Sequence, residues 1–171
     1  MKHAAIVLLA LLTANVNADN KLLNVTIADS AWDGDRVPAG QQCEKFGGQG
    51  ATPALTIRQI PTGANAIVMA YSDRTYRAMD RGGHGKFGYR IQPNTSAVDI
   101  PSIPGHTFDL PKGLFLIEAQ RAPTWDKAGA YLPPCSGGKG NDYYITVKAV
   151  KEVDSGIREV LGQFEVSLGV Y

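Results

Sequence analysis

Three polar side chains stand where this chain bends. Asp73 closes the run AYSD, His84 lies inside RGGHGKF, and Tyr143 opens YYITV just beyond a glycine-rich stretch. A histidine and a tyrosine can donate hydrogen bonds to a phosphate or carboxylate, and an aspartate can orient the histidine or accept from an ammonium. The glycines beside His84 would let main chain approach a ligand closely. The same residues fit a blander reading, in which His84 is a solvated loop residue and Tyr143 belongs to the core. As a surface residue, His84 would tolerate alanine at a cost within about 1 kcal/mol.

Other chemistries fit less well. In CSGGKG, residues 135–140, Gly138-Lys139 is followed by Gly140, and Pro133 stands where a phosphate loop needs its first glycine. A strand pattern follows where that loop needs a helix, so the backbone N–H cradle is not specified. GGHG at 82–85 resembles the oxyanion glycines of some esterases, but the chain has no G-x-S-x-G elbow. Two distant histidines, His84 and His106, and two cysteines are a poor ligand supply for zinc. A weak hydrolase using His84 ranks below a binding role, and neither a cofactor nor a metal is expected.

The elements that must position these residues alternate with a period of two. LLNVTIA, ALTIRQI, AIVMAYS, LFLIEA, YYITVKAV and QFEVSLGVY read as strands, separated by turn signals such as DGD, PTGAN, RGGHG and LPKG. Only DSGIREVL looks helical, with Asp154 or Ser155 as N-cap. The expectation is one mostly antiparallel all-β domain over residues 19–171.

The first residues read as a secretory leader. Lys2 and His3 precede the apolar AAIVLLALLTA, and Val16 and Ala18 offer small side chains for cleavage after Ala18. The chain carries a net charge of +1, which falls to zero once Lys2 is removed with the leader. A balanced surface gives no long-range attraction to nucleic acid or anionic membrane. The expected location is periplasmic or secreted, without a transmembrane segment. In an oxidising compartment Cys43 and Cys135 default to a disulfide, closing a loop of about 90 residues and stabilising by up to about 4–5 kcal/mol. The sharper alternative is a free nucleophilic cysteine with His84 or His106 as its base.

The order of these segments resembles the phosphatidylethanolamine-binding protein family, in particular its bacterial Raf-kinase-inhibitor-like branch. Thr52-Pro53-Ala54-Leu55 is similar to the family's S-P-x-L, Pro61-Thr62-Gly63 to its P-x-G, and Asp73 to the first aspartate of D-P-D-x-P. His84 falls on the histidine of H-W, and Pro93 follows as in N-I-P. Pro134-Cys135, Gly138, Tyr143 and Ile145 match the second signature, G-P-C-P-P-x-G…H-R-Y-x-F. The resemblance implies a large central antiparallel sheet, a short helix near the C-terminus, and a pocket for a phosphate-like or other anionic head group. Asp73, His84, Tyr143, Asn141 and Pro134 would line it, in a family not defined by catalysis.

The departures concentrate at the same place. D-P-D-x-P reads Asp73-Arg74-Thr75-Tyr76, H-W reads His84-Gly85, and the second signature's histidine and arginine read Asn141 and Asp142. Asp142 would repel a dianion unless Arg74 turns inward to compensate. Ligand choice is therefore expected to be altered. The alternative is a protein-interaction or protease-inhibitor module of the same fold, with Trp125 in RAPTWDK as its anchor.

Overall fold

The computed structural model describes residues 23–153, 156 and 158–171. The leader expected at 1–18 and the cap positions Asp154 and Ser155 lie outside them. The described residues form β1 (Asn24–Ile27), β2 (Leu55–Arg58), β3 (Ala66–Asp73), β4 (Gly85–Arg90), β5 (Ala97–Ile100), β6 (Leu114–Glu118), β7 (Asp142–Glu152) and β8 (Arg158–Val170). They make two sheets, ordered β1-β2-β5 and β6-β4-β3-β7-β8, and every neighbouring pair is antiparallel.

Period-two alternation explains the packing. On β3, Ile67, Met69 and Tyr71 are buried, and their cross-strand partners on β7 are Ala149, Val147 and Ile145, also buried. From the smaller sheet, Val25, Leu55, Ile57 and Ile100 join the same apolar cluster. The two inner faces thus share one core, as sheets packed face to face do.

The six alternating runs recognised in the sequence form β1, β2, β3, β6, β7 and β8. β4 and β5 were not foreseen. Gly85 and Gly88 break up β4's apolar pattern, and the ring of Phe115 lies so close to Gly88 that a Cβ there would meet it at 2.0 Å. β5 is only AVDI, short enough to be lost among turn signals.

The short C-terminal helix is a correction. Arg158–Leu161, the second half of the helical-looking segment, opens β8. Val160 pairs with Val150, Glu159 with Lys151 and Arg158 with Glu152, the last reinforced by an ion pair of 2.7 Å. An isolated helix of about eight residues is marginal, whereas this segment completes a ladder already begun by β7. Helical structure among the described residues is confined to 3-10 turns at Glu44–Phe46 and Arg77–Met79.

Because Met69 sits wholly inside the shared core, Met69→Ala should destabilise by about 2–5 kcal/mol in chemical denaturation. Lys151→Ala, on an exposed position of β7, should stay within about 0.5 kcal/mol. Equal effects at the two positions would contradict the assigned inner face.

Candidate functional site

The inward row of β3 does not stop where the apolar core stops. After Ile67, Met69 and Tyr71 the next position on that face is Asp73, whose cross-strand partner is Tyr143. Both are buried, so the polar pair forms the floor of a cavity of about 330 Å³ at the end of the core. Asp73 is tied down three times. Its Oδ1 accepts from the N–H groups of Thr75 (2.8 Å) and Tyr76 (3.0 Å), and Oδ2 accepts from Asn141 Nδ2 (2.6 Å).

His84 completes the floor from the residue before β4. Its N–H donates to the Tyr71 carbonyl at 3.0 Å, and its ring stands edge-on to Tyr143 with centroids 5.3 Å apart. Glycines make this approach feasible. Gly83 comes so close to the preceding turn that a Cβ would lie 2.3 Å from Met79 Cα. Gly85 has φ +126°, and a Cβ there would lie 2.8 Å from the Ala130 carbonyl oxygen. His84 is therefore buried at 3 % exposure, not the surface residue that its loop setting suggested.

The imidazole's protonation follows from its partner. Nδ1 lies 2.7 Å from the Leu132 carbonyl oxygen, which can only accept, so Nδ1 carries the proton. Burial pulls the ring's pKa below its ordinary value, opposed by the Leu132 hydrogen bond and the Asp73 charge. The neutral ring then presents a lone pair at Nε2. No buried side-chain nitrogen or oxygen among the described residues lacks a partner, and Nε2 has none, so it opens onto the cavity that His84 lines. Burial likewise pushes the Tyr143 phenol up to about 12, keeping it protonated at neutral pH.

The third wall is the loop between Leu132 and β7. Cys135 is bonded to Cys43 across 92 residues, which confirms the disulfide and removes the nucleophilic-cysteine alternative. The Cys135 N–H donates to the Tyr143 hydroxyl at 3.2 Å. Tyr171 fastens the other end of the loop, its carbonyl accepting from Gly140 N and Asn141 N at 2.9 Å and from Ser136 Oγ at 2.5 Å. Pro134 is buried and holds the loop through its carbonyl, which accepts from Cys43 N, but it does not line the cavity.

No protein-family model and no curated protein sequence matches the chain. Solved structures do. A phosphatidylethanolamine-binding protein homologue from Chlamydia trachomatis, CT736, superposes with a TM-score of 0.54 at 17 % identity, covering 88 % of this chain and 97 % of its own. YbcL of E. coli, described as a member of the mammalian phosphatidylethanolamine-binding protein family, superposes with a TM-score of 0.54 at 20 % identity, covering 87 % and 97 %. The fold is that of the phosphatidylethanolamine-binding proteins.

Within that fold, the altered motif positions have physical consequences. Arg74 does not turn toward the cavity. Its guanidinium pairs with Asp142 (2.8 Å) and Glu165 (2.7 Å) and lies 4.1 Å from the Tyr144 ring centroid. The expected repulsion from Asp142 is likewise absent from the cavity, because that carboxylate is held by Arg74 outside it. Gly85 has no room for the tryptophan of the family's H-W motif, and the aromatic wall comes from elsewhere. Tyr76 and Trp125 both line the mouth, half-exposed, with ring centroids 5.4 Å apart. Trp125 is thus a pocket residue as well as an exposed one. Sequence reasoning did not single out Thr75, Tyr76, Ser136 or Lys139 as lining residues. Their only signal was proximity to Asp73 and Cys135 in the chain.

Two outcomes follow. Below about pH 6.5 the unfolded chain protonates its histidines, while buried His84 resists until its lowered pKa is reached. Stability should therefore fall as pH drops from about 6.5, and denaturant titrations should show His84→Gln losing that part of the slope. Replacing Cys43 and Cys135 by alanine should cost about 2–5 kcal/mol and loosen the cavity wall, readable as increased hydrogen exchange at 135–140.

Proposed function

We propose that the chain is an exported, non-enzymatic binding protein that holds a small ligand in the Asp73–His84–Tyr143 cavity. The observation that carries this reading is convergence. Asp73 and His84, at the two ends of the β3–β4 connection, meet Tyr143 of β7, each buried, in one open cavity whose volume lies within the usual range for small-molecule sites. The disulfide and the leader pattern at 1–18 support export.

The binding role is favoured over hydrolysis by what surrounds His84. The Cys135 sulfur is held in the disulfide, and the Ser136 hydroxyl donates to the Tyr171 carbonyl, so neither is poised as a nucleophile. The ligand class carried by the resemblance is a phosphate-type head group. Lys139 and the Tyr143 hydroxyl are donors that line the cavity for it. Asn141 stands where the family has histidine, and one N–H of its amide donates to Asp73.

A second reading rests on the exposed pair Tyr76 and Trp125. In an inhibitor-type interaction these rings would anchor a partner protein, with the cavity taking one of its side chains. Both readings use the same mouth, so binding of small molecules separates them better than loop mutation.

Titration of the oxidised protein with O-phosphoethanolamine should give saturable binding and a rise in Tm. Because His84 is buried, the informative variant is Trp125→Ala, half-exposed at the mouth, which should weaken binding with little loss of stability. Absence of binding by any small charged head group would remove this reading and favour a protein partner.

A further inference from the structure

The disulfide stands beside a histidine and a carboxylate that the cavity does not use. Among the described residues, the sulfurs of Cys43 and Cys135 and a carboxylate oxygen of Asp126 all fall within 4.8 Å of one another. His106 Nε2 lies 2.6 Å from Asp126 Oδ2, and these two side chains are only 6 % and 4 % exposed. Two thiolates and a carboxylate held by an imidazole are a donor set that suits zinc. In the sequence this supply looked poor, since the histidines stand far apart. The fold needs only His106, and adds Asp126.

The frame around these groups does not depend on the sulfur–sulfur bond. Cys43 N donates to the Pro134 carbonyl at 3.0 Å, and Cys135 N donates to the Tyr143 hydroxyl at 3.2 Å. Asp126 is fixed to the turn that starts at Cys43, its Oδ2 accepting from Glu44 N (3.0 Å) and its Oδ1 from Lys45 N (2.9 Å). His106 takes φ +61°, and Gly129 packs so closely that a Cβ there would lie 2.8 Å from His106 Cα. The cysteine Cα atoms are 5.3 Å apart. Two Zn–S bonds of about 2.3 Å at a tetrahedral angle put their sulfurs about 3.8 Å apart, which side-chain rotation can supply from that spacing.

We propose that, while its cysteines are thiols, the chain binds one zinc ion through Cys43, Cys135 and Asp126, with His106 orienting the carboxylate. Water takes the fourth position. The site lies outside the ligand-binding role proposed above and does not rest on it. Both cysteines are made as thiols, and zinc displaces their two protons to solvent. Metal and disulfide use the same sulfurs, so each excludes the other. An oxidant of the disulfide class takes two electrons from the thiolates and, with two protons, leaves as its own dithiol, closing the bridge and releasing the ion. Before that, the metal ties the loop at 135–140 to the turn at Glu44–Phe46.

The test compares the full protein in its oxidised form with the same protein reduced by a trialkylphosphine. The phosphine becomes its oxide, taking oxygen from water, and is then removed without air. Reduced protein should bind one equivalent of zinc, and with cobalt(II) should show thiolate-to-metal charge-transfer absorption and tetrahedral d–d bands. Oxidised protein should show neither. His106→Gln should weaken zinc binding to the reduced form by about 10–100-fold. Asp126→Asn should weaken it further and shift the d–d bands, a signature that loss of a merely structural contact would not give. Should reduction unfold the chain, zinc should restore its strand circular dichroism and raise its Tm. Absence of the charge-transfer band, or a reduced chain that stays unfolded with zinc, would overturn the site. Equal affinity in wild type and both variants would mean chelation by two thiols alone, and would overturn it too.

Discussion

The antiparallel register that sets Tyr71 opposite Ile145 also sets Asp73 opposite Tyr143, and the rest of the site is arranged around that second pair. Side chains alternate across a strand, so a slip of one residue would turn every inward group on β7 outward. The buried partners Ile67–Ala149, Met69–Val147 and Tyr71–Ile145 resist such a slip. Apolar burial therefore enforces the alignment of Asp73 with Tyr143, whose ring is itself part of the core. His84 is added to them through its backbone bond to Tyr71, the last apolar residue of the same row.

Charge is sorted between the two faces of β7. On the outer face Asp142, Glu165, Arg74 and the Tyr144 ring satisfy one another, and the Tyr144 hydroxyl donates to Asp80. On the inner face the donors to Asp73 among the described residues are neutral. A carboxylate without a counter-ion is tolerable at a buried position when several N–H groups point at it, since their dipoles partly replace water. The disulfide and the triple acceptance by Tyr171 keep the facing loop in place.

Much of this was legible in the sequence wherever alternation is undiluted. VTI and LTI announce strands because their apolar residues recur every second position, and AIVMAYS because it is a short, nearly continuous apolar run between turn signals. KFGYR did not, since the glycine at 88 that seats Phe115 reads locally as a turn signal. Around 158–161 a local helix pattern competes with a hairpin ladder to Glu152, Lys151 and Val150 on β7, and the ladder wins. At the site, Asp73, His84 and Tyr143 were readable as chemistry-bearing types at strand ends. Neither the turn of Arg74 away from the cavity nor the arrival of Trp125 at its mouth was readable, because each depends on contacts between segments dozens of residues apart.

The proton on His84 is positioned by a main-chain oxygen, that of Leu132. Side-chain substitution at position 132 leaves that oxygen in place, and so does substitution at most of its neighbours. The tautomer is thus insulated from point mutation, while Tyr76, Trp125 and Lys139 stand exposed at the rim and can be exchanged at small cost to folding. Such a division separates what is inherited from what can drift. Relatives of this chain could diverge widely in the ligands they prefer through rim changes alone, while the direction in which the floor hydrogen-bonds stays the same.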